Sequence, residues 1–161
     1  MEATLDSTHI IRTDEDLTAL YGTGSRASLE KEVDYIHPHY RDMIEASSFV
    51  IIASASEGRL DASPRGDPAG FVVVEDERTL LIPDRRGNNR VDTLHNLVAD
   101  PRIALLFLIP GVNESLRVNG KAVMPRSALA SNGTLLADLS GDREYHKRDA
   151  TRDQTVRATL Y

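Results

Sequence analysis

Apolar positions fall into distinct patterns along this chain, and each predicts a different element. Ser48 to Ala55 (SFVIIASA) and Arg102 to Ile109 (RIALLFLI) are continuous apolar runs rich in β-branched residues. Both are too short for a stable helix and read as buried strands. Arg59 to Ala62, Gly70 to Glu75 and Thr79 to Pro83 are shorter strand-like runs, and Ser115 to Met124 alternates apolar with polar. Turn signals separate them at Glu57-Gly58, Asp76-Glu77-Arg78 and Pro110-Gly111, with Asn119-Gly120 as a further turn or bulge signal. Such short connections predict antiparallel hairpins, not parallel crossover units.

A second set of apolar residues recurs at helical spacing. Leu17 and Leu20 follow Thr13, whose hydroxyl suits an N-cap, and Asp14, Glu15 and Asp16 suit a first turn; Gly22 and Gly24 close that helix. Pro38 opens a helix running to Ser47 with Tyr40, Met43 and Ile44 on one face. Val91, Leu94, Leu97 and Val98 predict a helix from Val91 to Asp100, ended by Pro101. Ser127 to Leu139 reads as a weakly amphipathic helix broken at Asn132-Gly133, and residues 141–161 as a solvated helix or a disordered tail. The first dozen residues read as a mobile arm. Regularly spaced strands with few helices predict a mainly β chain with flanking helices, of α+β class, built as a small barrel with the helices outside.

Composition narrows the function. The 161 residues suffice for one domain with a sizeable core, and 40% apolar with 27% charged residues is ordinary for a globular chain. A net charge of −6 opposes a nucleic-acid or anionic-membrane surface, so any basic cluster acts locally. The absence of cysteine excludes disulfides, thiolate nucleophiles and cysteine-bound metals. The acidic first residues lack a secretory pattern and no apolar run reaches membrane-spanning length, so a cytoplasmic location is expected.

The candidate chemistry lies between Leu60 and Arg90. Ser63-Pro64-Arg65-Gly66-Asp67 reads as a polar loop in which Arg65 offers a bidentate fork to phosphate and Gly66 lets backbone amides approach. The bland alternative pairs Arg65 with Asp67 on a surface loop. A second loop, Asp84-Arg85-Arg86-Gly87-Asn88-Asn89-Arg90, leads into the helix starting near Val91, whose free amides suit an anion. Asn88 or Asn89 is also a natural cap for that helix. Both loops at neighbouring strand ends would make a cradle for an anionic, planar ligand. His37, His39 and His95 have no partners at metal-ligand spacing and read as surface histidines. No catalytic triad or carboxylate pair emerges from spacing.

The run Asp61 to Asp67, then Gly70-Phe71-Val72, then Leu81 to Arg90 resembles the pyridoxamine 5′-phosphate oxidase-like flavoproteins. So do Asp92-Thr93-Leu94, Asp100-Pro101, Leu105-Leu106-Phe107, Ile109-Pro110-Gly111 and Leu116 to Gly120; the likeness spans about Tyr35 to Ala122 and is nearest the FMN-dependent subgroup. It implies a split antiparallel six-stranded β-barrel of FMN-binding type over residues 35–125. An arm and short helix would precede it over 1–34, and an atypical helix and charged tail would follow over 126–161. It also implies FMN held non-covalently at a homodimer interface. By the same resemblance Ser63, Arg65, Gly66 and Asp67 form the first FMN-binding segment, with Arg65 on the phosphate. Phe71 and Val72 would line the flavin ring, and the backbone of Ile82 and Pro83 would meet it. Asp84, Arg85, Asn88, Asn89 and Arg90 would belong to the phosphate loop.

Residues that would hold pyridoxamine phosphate are not among those matched, so that substrate is not implied. The expectation is an FMN-dependent oxidoreductase passing hydride through flavin N5 to or from a small molecule. The alternatives are a flavin carrier or sensor without turnover, or a relative binding haem or a deazaflavin, with His37, His39 or His95 as axial ligand to haem.

Overall fold

The computed structural model describes residues 10–23, 32–85 and 90–124, together with the backbone of 134–138. The chain divides into two units, Met1–Glu32 and Val33–Tyr161. The first holds helix α1 (Asp14–Tyr21). Thr13 caps it as expected: its hydroxyl accepts from the Asp16 amide while the Asp16 carboxylate accepts from the Thr13 amide, each at 3.2 Å. Hydrogen bonds from the Arg12 and Thr13 amides hold the Asp16 carboxyl below its ordinary pKa. Gly22, at φ 69°, ends the helix in a backbone conformation that favours glycine.

Among the described residues the second unit is one antiparallel sheet with two helices. Helix α2 (Pro38–Ala46) is followed by β1 (Phe49–Ser56), β2 (Arg59–Gly66), β3 (Val73–Asp76) and β4 (Thr79–Pro83). Helix α3 (Asp92–Ala99), β5 (Arg102–Leu108), β6 (Ser115–Val123) and β7 (Thr134–Asp138) complete it. The strand order is β2-β1-β5-β6-β7-β4-β3. The mainly β architecture with flanking helices is the one expected, and the hairpins β1–β2, β3–β4 and β5–β6 are antiparallel. Glu57 and Gly58 both take positive φ (50° and 74°), the backbone that a two-residue hairpin between right-twisted strands requires.

Alternation places the core. Val50 and Ile52 of β1, Ile103, Leu105 and Phe107 of β5, Leu116 and Val118 of β6, and Leu80 and Ile82 of β4 are buried on one face of the sheet. Met43 and Ile44 of α2 and Leu97 of α3 join them. Helix α2 starts as predicted at Pro38, with the His37 ring nitrogen accepting from the His39 amide, and Arg41 donates to the Val74 carbonyl of β3.

Local signals misplace several elements. The segment Ser63–Gly66, expected as loop, is the second half of β2. Among the described residues β2 pairs with β1 alone, so Pro64, which lacks an N–H, sits opposite Ile51 on an edge strand that does not need that donor on its outer side. β3 begins at Val73, not Gly70, because Pro68 to Phe71 close a turn with Gly70 at φ 83°. Asn119 and Gly120 neither turn nor bulge; they pair in register with Ala104 and Ile103 inside β6.

Thr134–Asp138 is a strand, not part of a helix. It pairs with β4 on one side and β6 on the other, satisfying ladders that would otherwise be two open edges. The sheet therefore has seven strands in place of the expected six. The remainder of the expected helix over Ser127 to Leu139, the tail over 141–161 and the first nine residues lie outside the described residues.

Candidate functional site

The site begins with the period of β2. Its register sets Arg65 opposite Val50, Ser63 opposite Ile52 and Asp61 opposite Ser54, so Asp61, Ser63 and Arg65 share the face on which β1 buries its side chains. Helix α3 packs over the polar end of that face. The Asp61 carboxylate accepts from the Ser63 hydroxyl at 2.9 Å and from the Thr93 hydroxyl at 3.0 Å, while Asn96 donates its amide to the Ser54 hydroxyl at 3.2 Å. Thr93, Asn96 and Ser54 are all buried. Their bonds fix the first turn of α3 against β2, where a polar group without a partner would be costly.

Arg65 lies two residues further along the same face, roughly 7 Å beyond Ser63. There β2, at one end of the strand order, meets the segment that follows β4, next to the other end. The Arg65 guanidinium is 3.4 Å from the Asp84 carboxylate just after β4, and Arg85 Nε is 2.7 Å from the Asp67 carboxylate just after β2. The bland expectation that Arg65 and Asp67 pair with each other is not what forms; the pairs cross between segments. Nor do the two segments sit at one hairpin end, since β2 and β4 lie far apart in the strand order. Curling of the sheet brings them together. Burial pushes the Asp84 carboxyl above its ordinary range, and the Arg65 charge opposes that rise.

The third cation, Arg90, holds Asp92 in the first turn of α3 at 2.9 Å. Val91 is the N-cap of this helix, at φ 48° and with no side-chain cap bond. The expectation that Asn88 or Asn89 caps it is therefore corrected: the helix begins after both. A β-branched residue in the left-handed region is strained, and the Val91 side chain does not occupy the first amides of the helix, which suit an anionic acceptor.

Of the other expected site residues, Gly66 packs against the Phe49 ring, where an added Cβ would come within 3.4 Å. Phe71 is half-buried against the core, and Val72 and Ile82 are fully buried within it, which leaves their backbones as the groups able to meet a ligand. Pro83 is half-buried at the end of β4. Asn88 and Asn89 lie outside the described residues. His37, His39 and His95 are exposed, and no group of three metal-ligating side chains occurs among the described residues. The residues that sequence reasoning passed over are Asp61, Thr93, Asn96 and Ser54. The signal available was the spacing of Asp61, Ser63 and Arg65, which are two apart and so share a face if the segment is a strand.

The donor set suits a phosphate ester: three guanidinium groups, a helix N-terminus without a side-chain cap, and the small side chain of Ser63. The half-buried Phe71 and Pro83 suit a planar apolar group.

No curated protein matches the chain. Among solved structures, HupZ of group A Streptococcus aligns at 16% identity with a TM-score of 0.45, covering 62% of this chain and 85% of that one. A protein from Lactobacillus delbrueckii, described as a candidate pyridoxamine 5′-phosphate oxidase, aligns at 13% identity and a TM-score of 0.47, covering 64% and 91%. In this chain no helix among the described residues is long and apolar enough to cross a membrane. The sequence profile of pyridoxamine 5′-phosphate oxidase matches residues 36–151, which carries the likeness past Ala122 and through β7. With that match over most of its length, the chain belongs to the pyridoxamine 5′-phosphate oxidase family.

Proposed function

We propose that this chain binds FMN at the seam between β2, the end of β4 and the start of α3, and acts as an oxidoreductase on a small molecule. The observation that carries the reading is the convergence on one place of Arg65, on the end strand β2, and Arg85, after β4 on the far side of the strand order. Arg65 and Arg90 anchor the phosphate, with the first amides of α3 beside them. Asp61 holds those amides in position through Thr93. The backbone at Ile82 meets the ring, and Phe71 covers one side of it. When bound, the flavin supplies hydride acceptance and donation at N5, and the protein supplies orientation and charge. Among the described residues no side chain stands out as an acid or base.

The site is completed in a homodimer, supported by the outward face of β1 and β5. Phe49 pairs with Leu108 and Ile51 with Leu106 across that face, away from the core. A cytoplasmic setting, with neither nucleic acid nor membrane as partner, fits the acidic net charge.

The test is the absorbance spectrum of the purified chain after addition of FMN and desalting. The spectrum should be retained, and Arg65→Ala should weaken binding about ten- to a hundredfold, the loss of one charge-assisted contact. Failure to take up FMN defeats the reading. Turnover of a nicotinamide or an artificial acceptor by the loaded protein separates the oxidoreductase from a flavin carrier or sensor without turnover.

A further inference from the structure

Every described arginine of the seam has a carboxylate partner. Arg65 has Asp84, Arg85 has Asp67 and Arg90 has Asp92. The partners are not equivalent. Arg85 and Arg90 are about three-quarters exposed, so their pairs are solvated and worth little. Arg65 and Asp84 are the enclosed pair, with side chains 29% and 20% exposed. Their 3.4 Å separation is longer than the about 2.7–2.9 Å of a charge-assisted hydrogen bond. The most enclosed cation of the cradle is thus held loosely by an anion of the chain itself.

Resting on the reading that the seam takes a phosphate ester, we infer that Asp84 is the internal competitor for that phosphate: it holds Arg65 in the free chain, and the ester binds by taking the guanidinium while Asp84 takes a proton from solvent. Two anions cannot share one guanidinium in an enclosed site without repulsion. Among the described residues, the charged groups around Asp84 are Arg65 from β2 and the adjacent Arg85–Asp67 pair. Arg85 is already committed to Asp67, so among the described residues it is Arg65 whose loss leaves Asp84 without a counter-ion. Burial already favours the protonated form of Asp84, and Arg65 is the influence that opposes it. Once the phosphate has engaged Arg65, neutral Asp84 is the form that removes the repulsion. Asp84 is therefore a specificity-determining residue: it penalises anionic ligands at high pH and is indifferent to the same ligand without its phosphate.

The experiment titrates the full chain and its Asp84→Asn variant with FMN and with riboflavin, following flavin fluorescence between about pH 6.5 and 8.5, where the phosphate is mostly dianionic. For the wild type, FMN affinity should rise by up to about tenfold per unit of falling pH, the limit for uptake of one proton. Riboflavin binding should show no such slope. Asp84→Asn should bind FMN about tenfold more tightly than wild type at the alkaline end and lose the slope. Calorimetry of the wild type in two buffers of different ionisation enthalpy should show net proton uptake on binding FMN, which decides the matter should the variant fail to fold. FMN bound with a flat profile and no proton uptake, or bound no more tightly by the variant, overturns the role of Asp84 alone. FMN ignored by both proteins at every pH overturns this role and the binding reading together.

Discussion

Val91 and Asp84 show how much of this chain's behaviour is set by single residues at the ends of regular elements. Val91 accepts a left-handed backbone at the mouth of α3, a conformation costing a β-branched residue roughly 1–3 kcal/mol. Nothing in the local sequence announces this, because Asn88 and Asn89 are better caps by composition. Asp84 is a carboxylate whose burial raises its pKa more than the Arg65 charge lowers it. Its raised pKa means that the folded chain binds a proton more tightly there than the unfolded chain does. The stabilising effect of that proton is complete below the ordinary carboxylate range and is lost as pH rises through the raised folded value. Asp16 has the opposite sign: its lowered pKa stabilises the cap of α1 above the ordinary range, and that contribution is lost as pH falls through the lowered value. Urea midpoints measured against pH should therefore decline for the wild type from the carboxylate range towards neutrality relative to Asp84→Asn. Coincident curves would show that Asp84 titrates as an ordinary surface carboxylate.

At the scale of elements, legibility follows how local the determinants are. The cap at Thr13, the helix start at Pro38, the Glu57-Gly58 turn and the strands β1, β4, β5 and β6 were readable because periodicity and turn chemistry act within a few residues. The second half of β2 was not, since Ser-Pro-Arg-Gly composes a loop in isolation and becomes a strand only because β1 offers a partner on one side. β7 was missed for the same reason on a larger scale, its two partners being β4 and β6. Of the candidate site, the cations were legible from composition, whereas the network through Asp61, Thr93, Asn96 and Ser54 depends on α3 docking across β1 and β2. β5 was the most apolar segment and sits between β1 and β6 with Leu105 fully buried. Leu105→Ala should accordingly cost about 2–5 kcal/mol in denaturant unfolding, as deletion of a buried leucine does when its surroundings cannot collapse. A loss near zero would place the core elsewhere.

For the whole molecule, the continuous apolar character of β1 and β5 is the feature that one chain does not consume. Strands buried on one face alternate, whereas strands buried on both faces read as unbroken apolar runs. The fold buries Val50, Ile52, Ile103, Leu105 and Phe107 on the inner face. The outer face carries Phe49, Ile51, Leu106 and Leu108, paired across the two strands, with Phe49 and Leu108 each 37% exposed. On β6 the same outer face turns basic at Arg117 and Lys121, which bounds the apolar strip on one side. An apolar strip with a charged border is the form of an interface core and rim, and a second copy offering the same strip would satisfy it by two-fold symmetry. Leu106, near the middle of β5 and half-buried, is the residue whose charge would most disturb such packing while leaving the inner core intact. Sedimentation equilibrium should give the wild type twice the 17.8 kDa chain mass and Leu106→Glu a single one. If the seam is completed by the partner copy, the variant should also lose FMN while keeping its unfolding transition. A wild type that sediments as one chain would remove the dimer, and a monomeric variant that still retains FMN would confine the cofactor site to residues of one chain.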